Sequence, residues 1–182
     1  MVCRDDQSGD LIHGALVAPE SWSHWLVKFR SRDDPADIGP IEQAYAEMAR
    51  VAGLILPPTR LLPSGSPKTP AYFAAQRFDR VGPASRTHFH SACGHLHADF
   101  QQPSLDYKTL MILTFQLTKD HRQLRAMAAE FSIPPADVTG IIDQVRGAVD
   151  RWRDFAEDSG VGRTSRSRIG AVIAPRRTGR KP

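Results

Sequence analysis

The apolar residues change period once along the chain, and that change restricts the fold more than any other feature. Up to about residue 103 they come in short alternating runs around one helical stretch, and from Ser104 onward only helical spacing recurs. Strands gathered in one part and helices in another belong to an α+β domain rather than to a βαβ alternation. Trp22–Phe29 alternates, with Trp25, Val27 and Phe29 on one face and His24, Leu26 and Lys28 on the other. A helix follows, with Pro40 near its first position, Gly53 just past its end, and Ile41, Tyr45, Met48 and Ala52 as its apolar stripe. Pro57 and Pro58 exclude helix over Leu54–Leu62, which reads as extended. Pro63–Pro70 is a turn by composition, Tyr72–Arg80 a second strand and Arg86–Ser91 a further short one. Ser104 is an N-cap for a helix over Leu105–Thr118, and a shorter helix is expected over Arg122–Phe131. The longest helix is Pro135–Glu157, closed by Gly160, with a continuous apolar face that runs from Val138 to Phe155. Residues 1–20 show no period and are expected to be loosely ordered.

At 182 residues, 41% hydrophobic and 24% charged, the chain suits one ordinary domain or a compact pair of lobes. No apolar run approaches the ~20 residues of a membrane helix, and the acidic start Met1–Asp10 lacks the apolar core of a secretory signal. Two cysteines, Cys3 and Cys93, fit a reducing compartment, so a cytoplasmic protein with no membrane partner is expected. From Val161 to the end there are seven Lys/Arg and no Asp/Glu; subtracting those seven from the net +4 leaves −3 for residues 1–160. The basic residues sit among Gly, Ser, Pro and Thr with no aromatic between them. They predict a solvated tail, with at most weak contact to nucleic-acid phosphates.

Several local sequences resemble one family. Trp25-Leu-Val-Lys-Phe29, Asp37-Ile-Gly-Pro-Ile-Glu-Gln-Ala-Tyr45, Met48-Ala-Arg-Val-Ala-Gly53 and Tyr72-Phe-Ala-Ala-Gln-Arg-Phe-Asp-Arg80 closely resemble the HipA family, the serine/threonine kinase toxins of bacterial toxin–antitoxin modules. His88–Asp99, Leu105-Asp-Tyr107 and Ala136–Val161 resemble later segments of the same family, so the likeness covers roughly residues 24–122 and 125–161. The resemblance implies a kinase-like small lobe, an antiparallel sheet plus one helix, over 21–103. A helical remnant of the large lobe is implied over 104–160, with the N-terminal 1–20 and the basic flexible tail 161–182 outside them. It implies ATP and Mg²⁺ as cofactors. It also implies a small helix-turn-helix antitoxin or an intact HipA-like paralogue as partner.

The departures from the family bear on activity. In the family, several tens of residues carrying an Asp-x-His-x-x-Asn catalytic loop and a later metal-binding aspartate precede the final helices. Here Arg122-Gln-Leu-Arg125 passes straight into Ala126-Met-Ala-Ala-Glu-Phe131, and the sequence contains no asparagine. Asp120-His121-Arg122 has neither the order nor the asparagine of a catalytic loop and reads as a charged turn. The lysine-containing glycine loop before the first strand is reduced to Leu11-Ile-His-Gly-Ala-Leu-Val17. An internally truncated member is expected, with no catalytic residue in place and phosphoryl transfer lost.

Lys28 and Glu42 taken alone describe an exposed strand lysine with a helix carboxylate; the resemblance implies a lysine aimed at nucleotide phosphates. Gln76, Arg77 and Phe78 match the hinge between lobes, where backbone groups face an adenine edge, although a packed hairpin explains Phe78 equally well. Asp79 and Arg80 read as a surface ion pair of little energetic weight. His88, His90, Cys93, His95 and His97 are ligand types for zinc, but their spacing fits neither a zinc finger nor a His-Glu-x-x-His helix, and no metal is expected there. The apolar face of Pro135–Glu157 is large for what remains to cover it, so an exposed patch that favours association is expected.

Overall fold

Five strands pair into one antiparallel sheet: Val2–Asp5 (β1), Leu11–His13 (β2), Trp22–Lys28 (β3), Thr59–Ser66 (β4) and Thr69–Gln76 (β5), in the order β2-β1-β3-β5-β4. The computed structural model describes residues 2–13, 19, 21–81, 85–89, 91, 94 and 135–177. Met1–Thr87 with Gly140–Pro182 form one compact unit and His88–Thr139 a second. Of the second unit, only 88, 89, 91, 94 and the first residues of one helix are described. Beyond the sheet, the first unit contains helix α1 (Ile38–Val51), a small ribbon of Arg80–Val81 (β6) with Ser85–Arg86 (β7), and three C-terminal helices. Those helices are Pro135–Asp150 (α2), Trp152–Asp158 (α3) and Arg163–Arg177 (α4), of which α2 starts in the second unit. The α+β class expected from the change of period is the class observed.

The first expectation to fail is at the N-terminus. Residues 2–13 are not loose but supply β1 and β2, which are too short for any period to show. Gly9, at φ +84°, closes the turn between them, with Asp5 N–H donating to Asp10 O at 2.9 Å. A left-handed residue costs glycine nothing and most others strain. In β3, Trp25 and Val27 do share a face, joining Leu62 and Ala74 in one cluster. Phe29 lies past the strand end and is 71% exposed, edge-on to Tyr72. The opposite face carries Lys28 and Phe73, which are register partners.

Two boundaries move inward. The expected turn Pro63–Pro70 is only Pro67-Lys68, because β4 continues to Ser66; β4 is an edge strand, where Pro63 removes no needed ladder bond. The second strand ends at Gln76 rather than Arg80.

Helix α1 is buried on two sides. Its Pro40 sits in the first turn, where no intrahelical N–H partner exists to be lost. Gly39 lies directly on β5: a Cβ there would stand 2.3 Å from Ala71 O. On its other side Ile41 and Ala44 join Trp152, Phe155, Ala156 and Val161 in the main core cluster. At its C-terminal end Arg50 donates to Pro57 O at 2.8 Å and to Thr59 Oγ1 at 2.9 Å, tying the helix to the start of β4.

The C-terminal part differs twice from expectation. The single helix expected over Pro135–Glu157 is broken at Arg151, whose N–H turns back to Ala148 O, three residues away. That tighter turn swings Trp152 into the core. The tail expected to be flexible from residue 161 instead forms α4 through Arg177, and Ile169 and Ile173, one turn apart, pack on the main cluster. Its polar composition hides this, because two apolar residues suffice where Trp152 already offers a surface; Trp152 Nε1 also donates to Arg166 O at 3.2 Å.

Candidate functional site

The sheet and α1 bring Lys28 and Glu42 together. Lys28 is the last residue of β3 and Glu42 the fifth of α1, and Lys28 Nζ donates to Glu42 Oε1 at 3.0 Å. Gly39 sets this distance: the missing Cβ lets the first turn of α1 rest on β5, the strand paired to β3. The ammonium also stands 5.5 Å from the centroid of the Phe73 ring, its partner across the ladder. The aromatic face and the carboxylate hold a flexible four-carbon stem in one direction.

A cavity of about 310 Å³ opens at the pair, lined by Lys28, Phe29, Asp34, Ile38, Gly39, Glu42 and Phe73. The Lys28 side chain is 54% exposed, so its charge faces solvent and is open to an anion. Glu42 Oε2 is buried and accepts no hydrogen bond from a described residue. Asp34 closes one edge; hydrogen bonds from Ser31, the backbone one first, hold its carboxyl below the usual carboxylate range. Gly39 and Phe73 lie within family-like segments without being singled out there, and Asp34 lies in the loop before α1; strand register and helix packing bring Gly39 and Phe73 to the pair.

The other predicted site residues lie apart from this cavity. Gln76 N–H donates to Pro58 O at 2.9 Å and Arg77 N–H to His24 O at 2.8 Å, so both amides serve the sheet. Phe78 is 66% exposed. Asp79 is buried rather than on the surface, and its main partner is Arg77, with Nε to Oδ1 at 2.8 Å and Nη2 to Oδ2 at 2.5 Å; Arg80 Nε is 3.8 Å away. The Arg77 guanidinium holds the Asp79 carboxyl below its ordinary value. His88 is exposed, while His90, Cys93, His95, His97, Asp120–Arg122 and Gly14–Val17 lie outside the described residues.

The sequence model of the HipA-like C-terminal domain matches residues 4–137, well over half of the chain. The chain belongs to that family. No curated protein and no solved structure gives a significant match. Membership in this kinase-toxin family implies ATP and Mg²⁺, and the HipA-like site can be tested for each. A phosphate fits, because Lys28 presents an aimed and accessible ammonium. A divalent cation has less to bind: Glu42 Oε1 takes Lys28, Asp34 Oδ2 takes Ser31 N–H at 2.8 Å, and no group of three or more His, Cys, Asp or Glu converges among the described residues. Among the described residues the cavity thus offers an accessible cation beside one unpartnered carboxylate oxygen, Glu42 Oε2, and no cluster of metal-ligating side chains. No described helix is long and apolar enough to cross a membrane.

Proposed function

We propose that this HipA-like chain is an internally truncated serine/threonine kinase toxin that holds nucleotide phosphate at Lys28 and no longer transfers it. The observation that carries the proposal is the Lys28–Glu42 pair at 3.0 Å, on the accessible face of a small-lobe sheet. As an isolated surface ion pair it contributes roughly 0–1 kcal/mol to stability, so stability does not explain its geometry. Transfer needs a base near the acceptor hydroxyl and ligands for the metal that neutralises developing charge. The sequence has no Asp-x-His-x-x-Asn element and no asparagine anywhere. Incubation with γ-labelled ATP and Mg²⁺ tests this: no label should pass to the protein or to an added substrate above a Lys28→Ala control. Transfer above that control overturns the loss of activity.

A second role is favoured by a separate observation. Ile141 and Val145 of α2 and Val172 of α4 are 45%, 38% and 57% exposed, and Val145 and Val172 line one apolar cavity. It supports a non-catalytic module that binds a helix-turn-helix antitoxin or an intact HipA-like paralogue. Co-expression with such a protein encoded beside it, followed by co-purification, tests that role.

A further inference from the structure

Helices α1, α2 and α4 enclose a trough of about 520 Å³ whose walls are Tyr45, Met48, Val145, Val149, Ile169 and Val172. Tyr45 forms part of the floor by stacking on Trp152 at 5.0 Å between ring centroids, so the base is anchored in the main core. Two charged residues line it, Arg146 and Arg168, and no carboxylate does. Neither arginine has an ion-pair partner among the described residues, although Arg50, Arg77, Arg151 and Arg166 all do. An apolar trough edged by two open cations specifies an occupant that is apolar in the middle and anionic at its margins.

The shape of the apolar surface narrows the choice. Ile141, Val145 and Val149 follow each other at four-residue spacing along α2, a strip of about 12 Å at 1.5 Å per residue. Ile141 lies beyond the trough and is 45% exposed, so the apolar surface runs on past the cavity. An occupant that covers it is elongated. A second copy of the chain is disfavoured, because pairing two such troughs would gather the arginines of both copies in one interface with no lining carboxylate to meet them.

We infer that the α1–α2–α4 trough receives an amphipathic helix from another protein, its apolar stripe on Val145, Val149 and Val172 and its flanking Asp or Glu side chains on Arg146 and Arg168. Helix-in-groove docking of this kind uses anchors one turn apart. The inference rests on the interaction-module role and supplies its surface and the chemistry of the partner.

The test uses the full chain and two labelled helical peptides of about 16 residues, with one leucine stripe in common, flanked by glutamates in one and lysines in the other. Fluorescence anisotropy should show the glutamate peptide binding roughly tenfold tighter or more. Val145→Asp and Val172→Asp, both at partly exposed positions, should each abolish binding while the melting transition is retained. The double variant Arg146→Glu/Arg168→Glu should invert the preference, so that the lysine peptide binds better. Equal affinity for the two peptides, no binding of either, or binding that survives both aspartate variants overturns the inference. So does a dimer in sedimentation that Val145→Asp dissolves, since the occupant is then a second copy. A natural partner that still co-purifies with Val145→Asp keeps the module role and removes this surface from it.

Discussion

Cys3 and His24 face each other across β1 and β3, Sγ to Nδ1 at 3.2 Å, both buried. Burial first, and then the charges of Arg80, Arg77 and Arg86, push the His24 imidazole below its ordinary value; burial pushes the Cys3 thiol up. The unfolded chain takes up a proton at His24 near pH 6.5, where the folded chain does not, so stability is present above about that pH and declines as pH falls through it. At Cys3 the unfolded chain loses its proton near pH 8.5 while the folded chain keeps it, so stability declines as pH rises further. The melting midpoint should be highest between these limits. Cys3→Ala should flatten the alkaline limb and leave the acid limb, and a profile equally steep in that variant would contradict the assignment. Gly39 makes a sharper prediction. In Gly39→Ala the new Cβ meets backbone that cannot move aside, so chemical denaturation should show a loss of about 2–3 kcal/mol. Nucleotide affinity should fall with it as α1 lifts Glu42 away from Lys28. At this scale Lys28 and Glu42 were legible, because strand alternation and the family motifs mark them. The parts played by Asp34, Gly39 and Phe73 were not, although Gly39 and Phe73 lie in the same family-like segments, since register and helix-on-sheet contact are long-range properties.

Helices α1 and α4 are joined by one carboxylate. Asp37, the residue before α1, makes no side-chain bond to its own helix; its Oδ2 accepts Gly162 N–H at 2.7 Å and its Oδ1 accepts Ser165 Oγ–H at 2.9 Å. It therefore caps the start of α4, more than a hundred residues away. Removing a buried charged acceptor that holds two donors should cost roughly 2–4 kcal/mol, and Ser165→Ala about 1. Urea denaturation of Asp37→Ala, Ser165→Ala and a chain ending at Gly162 measures this; the truncation should melt lowest, because it also uncovers Trp152. Unchanged midpoints in all three would return residues 163–182 to the flexible tail that composition suggests. The strong elements β3, α1 and β5 were readable from period and punctuation. β1, β2 and α4 were not, because their stability comes from partners, Cys3 on His24 and Ile169 on the Trp152 cluster, rather than from their own sequences.

For the molecule as a whole, the sheet with α1 holds the Lys28–Glu42 pair, and the C-terminal helices brace the far side of α1 through Trp152, Phe155 and Val161. The helix that carries Glu42 draws its support from the sheet and from residues 152–173, so the Lys28–Glu42 geometry depends on both. The proposed state of the molecule is phosphate held at Lys28 without turnover. Phosphorus NMR of ATP with stoichiometric protein and Mg²⁺ reads both halves in one spectrum. The β- and γ-phosphate resonances should shift or broaden with the unmodified chain and not with Lys28→Ala, with no ADP or phosphoprotein signal growing over hours. A growing phosphoprotein signal, or phosphate resonances that respond identically to the two proteins, would contradict it.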